Sequence, residues 1–239
     1  LRIFPFRRRV AVSISLILSF VLLLRAGIIC ELPKYIKATF TQSTMFEDEY
    51  VFPTSQNVTF PENKRNLIYI FLESMETTFF SKEEGGALDN NVIPELYDLA
   101  ENHINFSQDD GVGGGAVITG TNWTVGAMVA QTSALPLKLT MLGENDYSGY
   151  AEFLPGAITL GDILHDNGYY EALMVGSDAN FGDRQKFYEE HGCDKVYDYY
   201  TAIEDGIIDE GYYVWWGMEN RYLIRYAQQE LLKMAEQDQ

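Results

Sequence analysis

An apolar run near the N-terminus follows a cluster of three arginines at residues 7–9. Residues 10–29 include only one charged side chain, Arg25. About 20 apolar residues match the hydrocarbon core of a bilayer, and Arg25 stands near one end, where a long side chain can reach the interface. We therefore predict a transmembrane helix over residues 10–29, preceded by a cytoplasmic basic segment at residues 1–9.

The positive-inside rule then places the chain after residue 30 on the extracytoplasmic side of the cell membrane. A cleaved signal peptide is the alternative reading of the apolar run. The run is long for a signal peptide, and residues 28–31 (Ile-Ile-Cys-Glu) offer no small-residue cleavage site. These features favour a retained membrane helix.

Charge is distributed very unevenly in this chain of 239 residues, whose net charge is −18. Five of the 17 basic residues precede Glu31, whereas all 35 acidic residues lie at or after it. Such an acidic body excludes binding to nucleic acid through its phosphates, because that contact needs basic side chains. It suits a domain that holds a cation.

Composition divides the rest into a linker rich in Pro, Thr and Ser at residues 30–65 and one globular domain at residues 66–239. In the domain we predict buried strands at 67–72 and 170–175, an edge strand at 195–198 and a short possible strand at 103–106. Helices are predicted after Pro94 and Thr124, and at 159–167, 183–191 and 217–236. This alternation indicates an α/β fold with a mostly parallel sheet flanked by helices. Few strands are visible, and the chain starts at Leu1 and stops after a helix, so we expect the sequence to be incomplete.

Glu73 is the first carboxylate after the strand predicted at 67–72. Ligands of open α/β sheets sit beyond the carboxyl ends of the strands. A carboxylate at that position can hold a hard cation through oxygen. The alternative is a solvated or turn-capping residue.

A glycine-rich run at 111–115 leads to residues 120–128 (Gly-Thr-Asn-Trp-Thr-Val-Gly-Ala-Met), which read as the start of a helix. The N–H groups and dipole of a helix start favour an anion. A hydroxyl there can act as a nucleophile when a metal lowers its pKa, although Thr is also an ordinary N-cap. The residues alone leave the choice between Thr121 and Thr124 open.

These segments resemble the phosphoglycerol transferases of the alkaline phosphatase/sulfatase superfamily. The resemblance rests on the Glu-Ser pair at 73–74, residues 120–128 and the Leu-Pro-Leu that follows their helix at 135–137. Further matches follow in order at 160–169, 180–192 and 216–220. The nearest likeness is to the membrane-bound enzyme that decorates periplasmic glucans, and lipoteichoic acid synthase is a more distant relative.

The resemblance implies a role for three residues. Glu73 matches a ligand of a single divalent cation, Mn²⁺ or Mg²⁺, and Thr124 matches the nucleophile that also touches this cation. Arg184 falls near a basic residue that holds the phosphate of the lipid substrate, which suits a guanidinium. By the same resemblance, the donor is phosphatidylglycerol or a similar lipid, and the acceptor is a cell-envelope glycan or polymer.

The chain departs from the family pattern in three places. Lipoteichoic acid synthase has a Trp where this chain has Gly182, and a His after the second strand where it has residues 175–178 (Val-Gly-Ser-Asp). The downstream Asp-His pair that completes the metal site of the superfamily has no counterpart here. His103, His165 and His191 match no motif, and we expect them at surface or capping positions. We therefore predict that the 239 residues alone are inactive.

Two other functions remain open. One is a different reaction on the same scaffold, as in a sulfatase, a phosphodiesterase or a phosphoethanolamine transferase. The sulfatase motif with a modified Cys or Ser does not surround Thr124. The other is a non-catalytic protein that binds the cell envelope.

Overall fold

The computed structural model describes residues 5–41, 44–54, 57–107, 111–115, 118, 120–137 and 151–236. The chain forms two compact units. Among the described residues, the first unit ends at Phe52 and the second begins at Pro53.

The first unit is helical. It contains α1 (Pro5–Ile29), α2 (Leu32–Phe40) and α3 (Met45–Asp48). Helix α1 confirms the predicted N-terminal helix, but it begins earlier than expected, because a proline fits the first turn of a helix without losing a hydrogen bond. Its segment Arg7–Ile29 is long and apolar enough to cross a membrane. Residues 1–4 of the predicted basic segment lie outside the described residues.

The first half of residues 30–65, the predicted linker, contains α2 and α3. The proline in this stretch stands in the first turn of α2, where it starts a helix instead of breaking it.

The second unit carries the remaining regular elements. In chain order they are α4 (Pro94–Asn102), α5 (Thr124–Ser133), α6 (Leu160–Asp166), β1 (Ala172–Met174), α7 (Arg184–Glu190), β2 (Lys195–Tyr197), α8 (Tyr199–Glu204) and α9 (Asn220–Glu236). The five helices predicted for this domain are confirmed. Helix α9 begins three residues late, because a tight turn occupies the residues before it, and α8 was not predicted.

Strands β1 and β2 form a parallel pair in which Leu173 stands opposite Val196. Helix α7 is the crossover between them, so the three elements make a βαβ unit. This confirms an α/β fold with a small parallel sheet. The carboxyl ends of both strands meet at one edge, which brings the loop at 175–180 beside the start of α8.

The strands predicted at 67–72 and 103–106 are wrong. Residues 67–72 are extended but belong to no sheet, and Ile70 is 70% exposed. Residues 103–106 are also irregular, and Ile104 is 87% exposed. An apolar run forms a strand only when a neighbour pairs with its backbone, and within the described ranges no strand lies beside either segment.

The core of this unit joins α5, the sheet and α7. Val125 and Val129 stand one turn apart on α5, and both are fully buried. They belong to a cluster with Met128, Leu137, Phe153, Leu173, Val175, Ala179, Phe187, Tyr188 and Cys193. Burial raises the pKa of the Cys193 thiol to about 11, so this group remains a neutral core residue. The packing fixes the N-terminus of α5 relative to the sheet.

The three histidines lie at surface or capping positions, as expected, but His191, the C-cap residue of α7, is also buried. His165 is exposed and His103 caps the end of α4, as expected. His191 is only 5% exposed, with Nδ1 2.9 Å from Oδ2 of Asp162 and Nε2 2.9 Å from the carbonyl oxygen of Phe153. This imidazole therefore fastens α7 to the start of α6 and to the loop before it.

Glu171, just before β1, gives a pH-dependent prediction for stability. Burial raises the pKa of Glu171 from 4.5 to about 7, helped by the negative charges of Asp162 and Asp194 and opposed by His165. The folded protein thus keeps a proton that the unfolded chain releases. The contribution of Glu171 to stability should be most favourable below pH 4.5 and should be lost as pH rises through 7. In the intact protein, Glu171→Gln should raise the unfolding free energy by about 1–2 kcal/mol at pH 8, after allowance for solvent screening.

The measurement is thermal unfolding of parent and variant at pH 8 and pH 5. The gain should shrink at pH 5, because the parent carboxyl is then protonated as well. An equal effect of Glu171→Gln on stability at both pH values would show that the negative charge of the Glu171 carboxylate does not destabilise the folded protein.

Candidate active site

The start of α5 is shaped by a close approach between two segments. Gly120 has φ +91°, and a Cβ there would stand 2.5 Å from the carbonyl oxygen of Leu137. Leu137 N in turn donates to Gly120 O at 3.1 Å. Only glycine fits this left-handed, crowded position. The contact fixes the turn that leads into Thr124, the first residue of α5.

Glu73 reaches Thr124 because the extended segment 67–72 runs along α5 in the opposite direction. Tyr69 donates its hydroxyl to Gln131 Oε1 at 3.0 Å, near the end of the helix. Four residues later, Glu73 Oε1 accepts the hydroxyl hydrogen bond of Thr124 at 2.6 Å. The next residue, Ser74, has φ +59° and turns the chain away. The structure therefore brings together two of the three predicted site residues.

The hydroxyl of Thr121 takes a different partner. Its Oγ1 donates to the carbonyl oxygen of Ile118 at 2.8 Å. Thr121 thus closes the turn before the helix, whereas Thr124 stands at the helix N-terminus beside a carboxylate. A hydroxyl in hydrogen-bond contact with a carboxylate, at the positive end of a helix dipole, has the arrangement of an activated nucleophile.

Arg184, the third predicted site residue, is the first residue of α7 and is only 5% exposed. Its Nη2 donates to Ser177 Oγ at 2.8 Å and to the carbonyl oxygen of Asp178 at 2.6 Å. Burial lowers the pKa of Arg184, while the charges of Asp178 and Glu73 oppose this shift. Arg184 is therefore within electrostatic reach of Glu73. It holds the loop after β1, and its buried Nε has no hydrogen-bond partner among the described residues.

Ser177 and Asp198 also lie at this edge of the sheet, and neither was predicted as a site residue. Asp198 is buried at the end of β2. Its Oδ2 accepts from Ala179 N at 3.1 Å, and its Oδ1 accepts from Tyr200 N and Thr201 N at the start of α8. The available signals were polar residues at the ends of parallel strands and an Asp-x-x-Thr capping pattern.

Asp198→Ala is expected to destabilise the intact protein by about 2–4 kcal/mol, since it removes a helix cap and leaves the N–H of Ala179 buried without a partner. Chemical denaturation measures the loss. The matched control is Asp166→Ala, at an exposed position in the last turn of α6, which should change stability by less than about 0.5 kcal/mol. Equal effects of the two substitutions would contradict the anchoring role of Asp198.

Among the described residues, no group of three or more His, Cys, Asp and Glu side chains is arranged to hold a metal ion. What the described chain does offer is one carboxylate and one hydroxyl in contact, Glu73 and Thr124. Both are hard oxygen donors of the kind that Mg²⁺ and Mn²⁺ prefer. The two side chains fit as part of the coordination shell of a divalent cation.

Comparison with known proteins decides the family. The model of the family described as Sulfatase matches residues 65–239, which is most of the chain. The chain belongs to the sulfatase family. The match covers the whole βαβ unit together with Glu73, Thr124 and Arg184.

Curated relatives of this sulfatase-family chain carry the name phosphoglycerol transferase I. The protein from Xanthomonas euvesicatoria pv. vesicatoria is 31% identical over 166 residues, which cover 69% of this chain and 22% of that protein. The protein from Escherichia coli O127:H6 is 30% identical over 181 residues, covering 76% of this chain and 22% of the relative. The chain thus spans less than a quarter of the length of these relatives.

A solved structure of a protein in the alkaline phosphatase superfamily from Vibrio parahaemolyticus is also similar. It is 21% identical, with a TM-score of 0.33, and the match covers 46% of this chain and 24% of that protein.

Proposed function

We propose that this chain is part of a membrane-anchored phosphoglycerol transferase, with phosphatidylglycerol or a similar lipid as donor and a glycan or polymer of the cell envelope as acceptor. The observation that carries the proposal is the 2.6 Å hydrogen bond from Thr124 Oγ1 to Glu73 Oε1 at the start of α5. The relatives named phosphoglycerol transferase I support the choice of transferred group. The 239 residues alone are expected to be inactive.

The reaction proceeds through two displacements. Thr124 Oγ1 attacks the phosphorus of the donor, so that an Oγ1–phosphorus bond forms and the bond from phosphorus to the diacylglycerol oxygen breaks. The Thr124 proton leaves along its hydrogen bond with Glu73, and the diacylglycerol oxygen takes up a proton. A hydroxyl of the acceptor then attacks the same phosphorus and releases Thr124, which regains its proton.

Three features of the chain favour this chemistry. The N-terminus of α5 points N–H groups and the positive end of its dipole at the bound phosphate. Glu73 orients the attacking hydroxyl. In this proposal the guanidinium of Arg184, whose pKa is affected by the charge of Glu73, contributes a donor to a phosphate oxygen.

A divalent cation, Mn²⁺ or Mg²⁺, is the proposed cofactor. Glu73 and Thr124 would hold it, and other ligands would complete its shell. When bound, such an ion lowers the pKa of the nucleophilic hydroxyl and neutralises charge on the phosphate.

Helix α1 supplies the anchor in this proposal. Its apolar segment Arg7–Ile29 would cross the cell membrane with the arginine cluster in the cytoplasm, leaving the sulfatase-family domain outside. Anchoring places the domain beside the lipid donor and so raises the effective donor concentration.

The test is to trap the intermediate. The intact protein, incubated with phosphatidylglycerol and Mn²⁺ without acceptor and quenched in acid, should yield a peptide that carries one phosphoglycerol group on Thr124 by mass spectrometry. Phosphatidylethanolamine serves as the comparison donor. A phosphoethanolamine adduct in place of phosphoglycerol would assign a different transfer to the site, and an unmodified Thr124 would overturn the covalent mechanism.

A further inference from the structure

Two adjacent tryptophans stand at the tip of a tight turn just before α9. Val214 N donates to Gly217 O at 2.8 Å, and Gly217 N donates back to Val214 O at 3.1 Å. These two bonds close a two-residue hairpin loop whose tip is Trp215 and Trp216. We call residues 214–217 the tryptophan turn.

The tryptophan turn is docked firmly on the loop that follows β1. A Cβ on Gly217 would stand 2.1 Å from the carbonyl oxygen of Gly176, so only glycine permits this approach. Next to it, Met218 N donates to Gly176 O at 2.7 Å. Gly217 also forms a bridge with Ser177, whose hydroxyl accepts from Arg184. The turn is therefore a fixed neighbour of the loop after β1, which Arg184 holds.

Both tryptophan rings face solvent. Trp215 is 88% exposed and Trp216 is 73% exposed. The ring of Phe181, itself exposed, lies 6.3 Å from that of Trp216 and 5.5 Å from the Arg184 guanidinium. The result is an exposed aromatic surface that continues from the tryptophan turn to the residue predicted to contact phosphate.

The backbone of Trp215 is strained. Its φ of +59° lies in the left-handed region, which bulky residues rarely adopt. When the first residue of a two-residue hairpin loop has such a φ, it is usually glycine. An exposed ring in this position buries little surface that could offset the strain. Strained residues of this kind concentrate at functional sites, so folding stability does not account for the tryptophan.

We propose that Trp215 and Trp216 form a stacking platform for a neutral sugar chain. The flat, apolar faces of the indoles suit the C–H faces of pyranose rings, and large exposed aromatic surfaces mark binding sites. The exposed carboxylates of Asp209 and Glu210 precede the turn. Glu219, which follows it, is half-buried and already accepts from Tyr212 and Arg221. Carboxylates accept hydrogen bonds from sugar hydroxyls.

The negative charge of the protein favours a neutral sugar chain over an anionic surface as the partner of the tryptophan turn. The chain has a net charge of −18, and the exposed carboxylates of Asp209 and Glu210 before the tryptophan turn would repel the headgroups of an anionic bilayer or a polyphosphate. A neutral glycan carries no such penalty. The inference rests on the proposed function in one respect, namely that the bound sugar would be the acceptor.

The experiment uses the intact protein in nanodiscs and two neutral probes, laminarihexaose and cellohexaose, with binding measured by titration calorimetry. We expect Trp215→Gly and Trp216→Ala each to weaken the binding of at least one probe by about tenfold, the loss of one stacked ring. Trp215→Gly should leave Tm unchanged or raise it, because glycine relieves the strained backbone. Leu232→Ala is the matched control, an exposed apolar residue about 18 Å further along α9; it should change neither binding nor Tm.

Several outcomes would overturn the platform. They are unchanged binding in both tryptophan variants, a lowered Tm in Trp215→Gly, no binding of either probe by the parent, or a tryptophan-dependent affinity for phosphatidylglycerol vesicles. Thr124→Ala separates this proposal from the proposed function. That variant should bind the probes as tightly as the parent, whether or not it retains transfer activity.

Discussion

Replacing Thr124 by Ala in the intact protein should lower the rate of phosphoglycerol transfer by about 10³-fold or more, a loss of at least about 4 kcal/mol of transition-state stabilisation. The physical reason is that the variant has no atom with which to form the bond to phosphorus. The acceptor would then have to attack the lipid directly. The measurement is the initial rate of release of diacylglycerol from phosphatidylglycerol in the presence of Mn²⁺ and acceptor.

Thr121→Ala is the matched control. It deletes the same hydroxyl three residues earlier, where the group closes a turn with Ile118 and does not reach Glu73. Its rate should stay within about threefold of the parent, because turn hydrogen bonds of this kind contribute about 0.5–1.5 kcal/mol to stability and nothing to bond formation. Undiminished transfer by Thr124→Ala, or an equal loss in the two variants, would remove Thr124 as the nucleophile.

Glu73→Gln is the second substitution with a large expected effect. It keeps the shape of the side chain and removes its charge, so Thr124 loses a carboxylate partner and the cation loses an anionic ligand. We expect transfer to fall by roughly 10²- to 10³-fold, because the effect combines weaker metal binding with a less activated hydroxyl. Calorimetric titration with Mn²⁺ should show weaker binding in the variant, and this readout does not depend on activity.

Glu76→Gln controls for the loss of one negative charge from the same stretch. Glu76 is exposed and stands three residues beyond Glu73. It should leave both the Mn²⁺ affinity and the rate unchanged. If Glu73→Gln binds Mn²⁺ as tightly as the parent, the carboxylate is not a ligand, and its contact with Thr124 serves only to orient the hydroxyl.

The parts of the site that could be predicted from sequence depend on local patterns. The βαβ unit follows from two apolar runs with an amphipathic helix between them, and α5 follows from its helix start and the proline beyond its end. Glu73 and Thr124 were each singled out by a local pattern, and the resemblance implied that they touch one cation. The resemblance added the proposed roles of these residues and of Arg184.

The features that escaped prediction depend on contacts between distant parts of the chain. The burial of His191 needs the carbonyl of Phe153 and the carboxylate of Asp162, which no local pattern connects to it. The anchoring role of Asp198 needs the N–H of Ala179 as well as its own helix. For residues 67–72, the composition is that of a strand, but pairing requires a neighbour that no property of the segment itself provides.

That extended segment has a practical consequence for handling these 239 residues. Its backbone and its apolar side chains are exposed together, which makes it a template on which a second molecule can add a strand. Charged residues stand at both of its ends, Lys64 and Arg65 before it and Glu73 and Glu76 after it, and such flanking charges slow self-association. Glu73→Gln therefore removes a charge that opposes self-association as well as a site residue. The aggregation state of this variant must be measured before its transfer rate is interpreted.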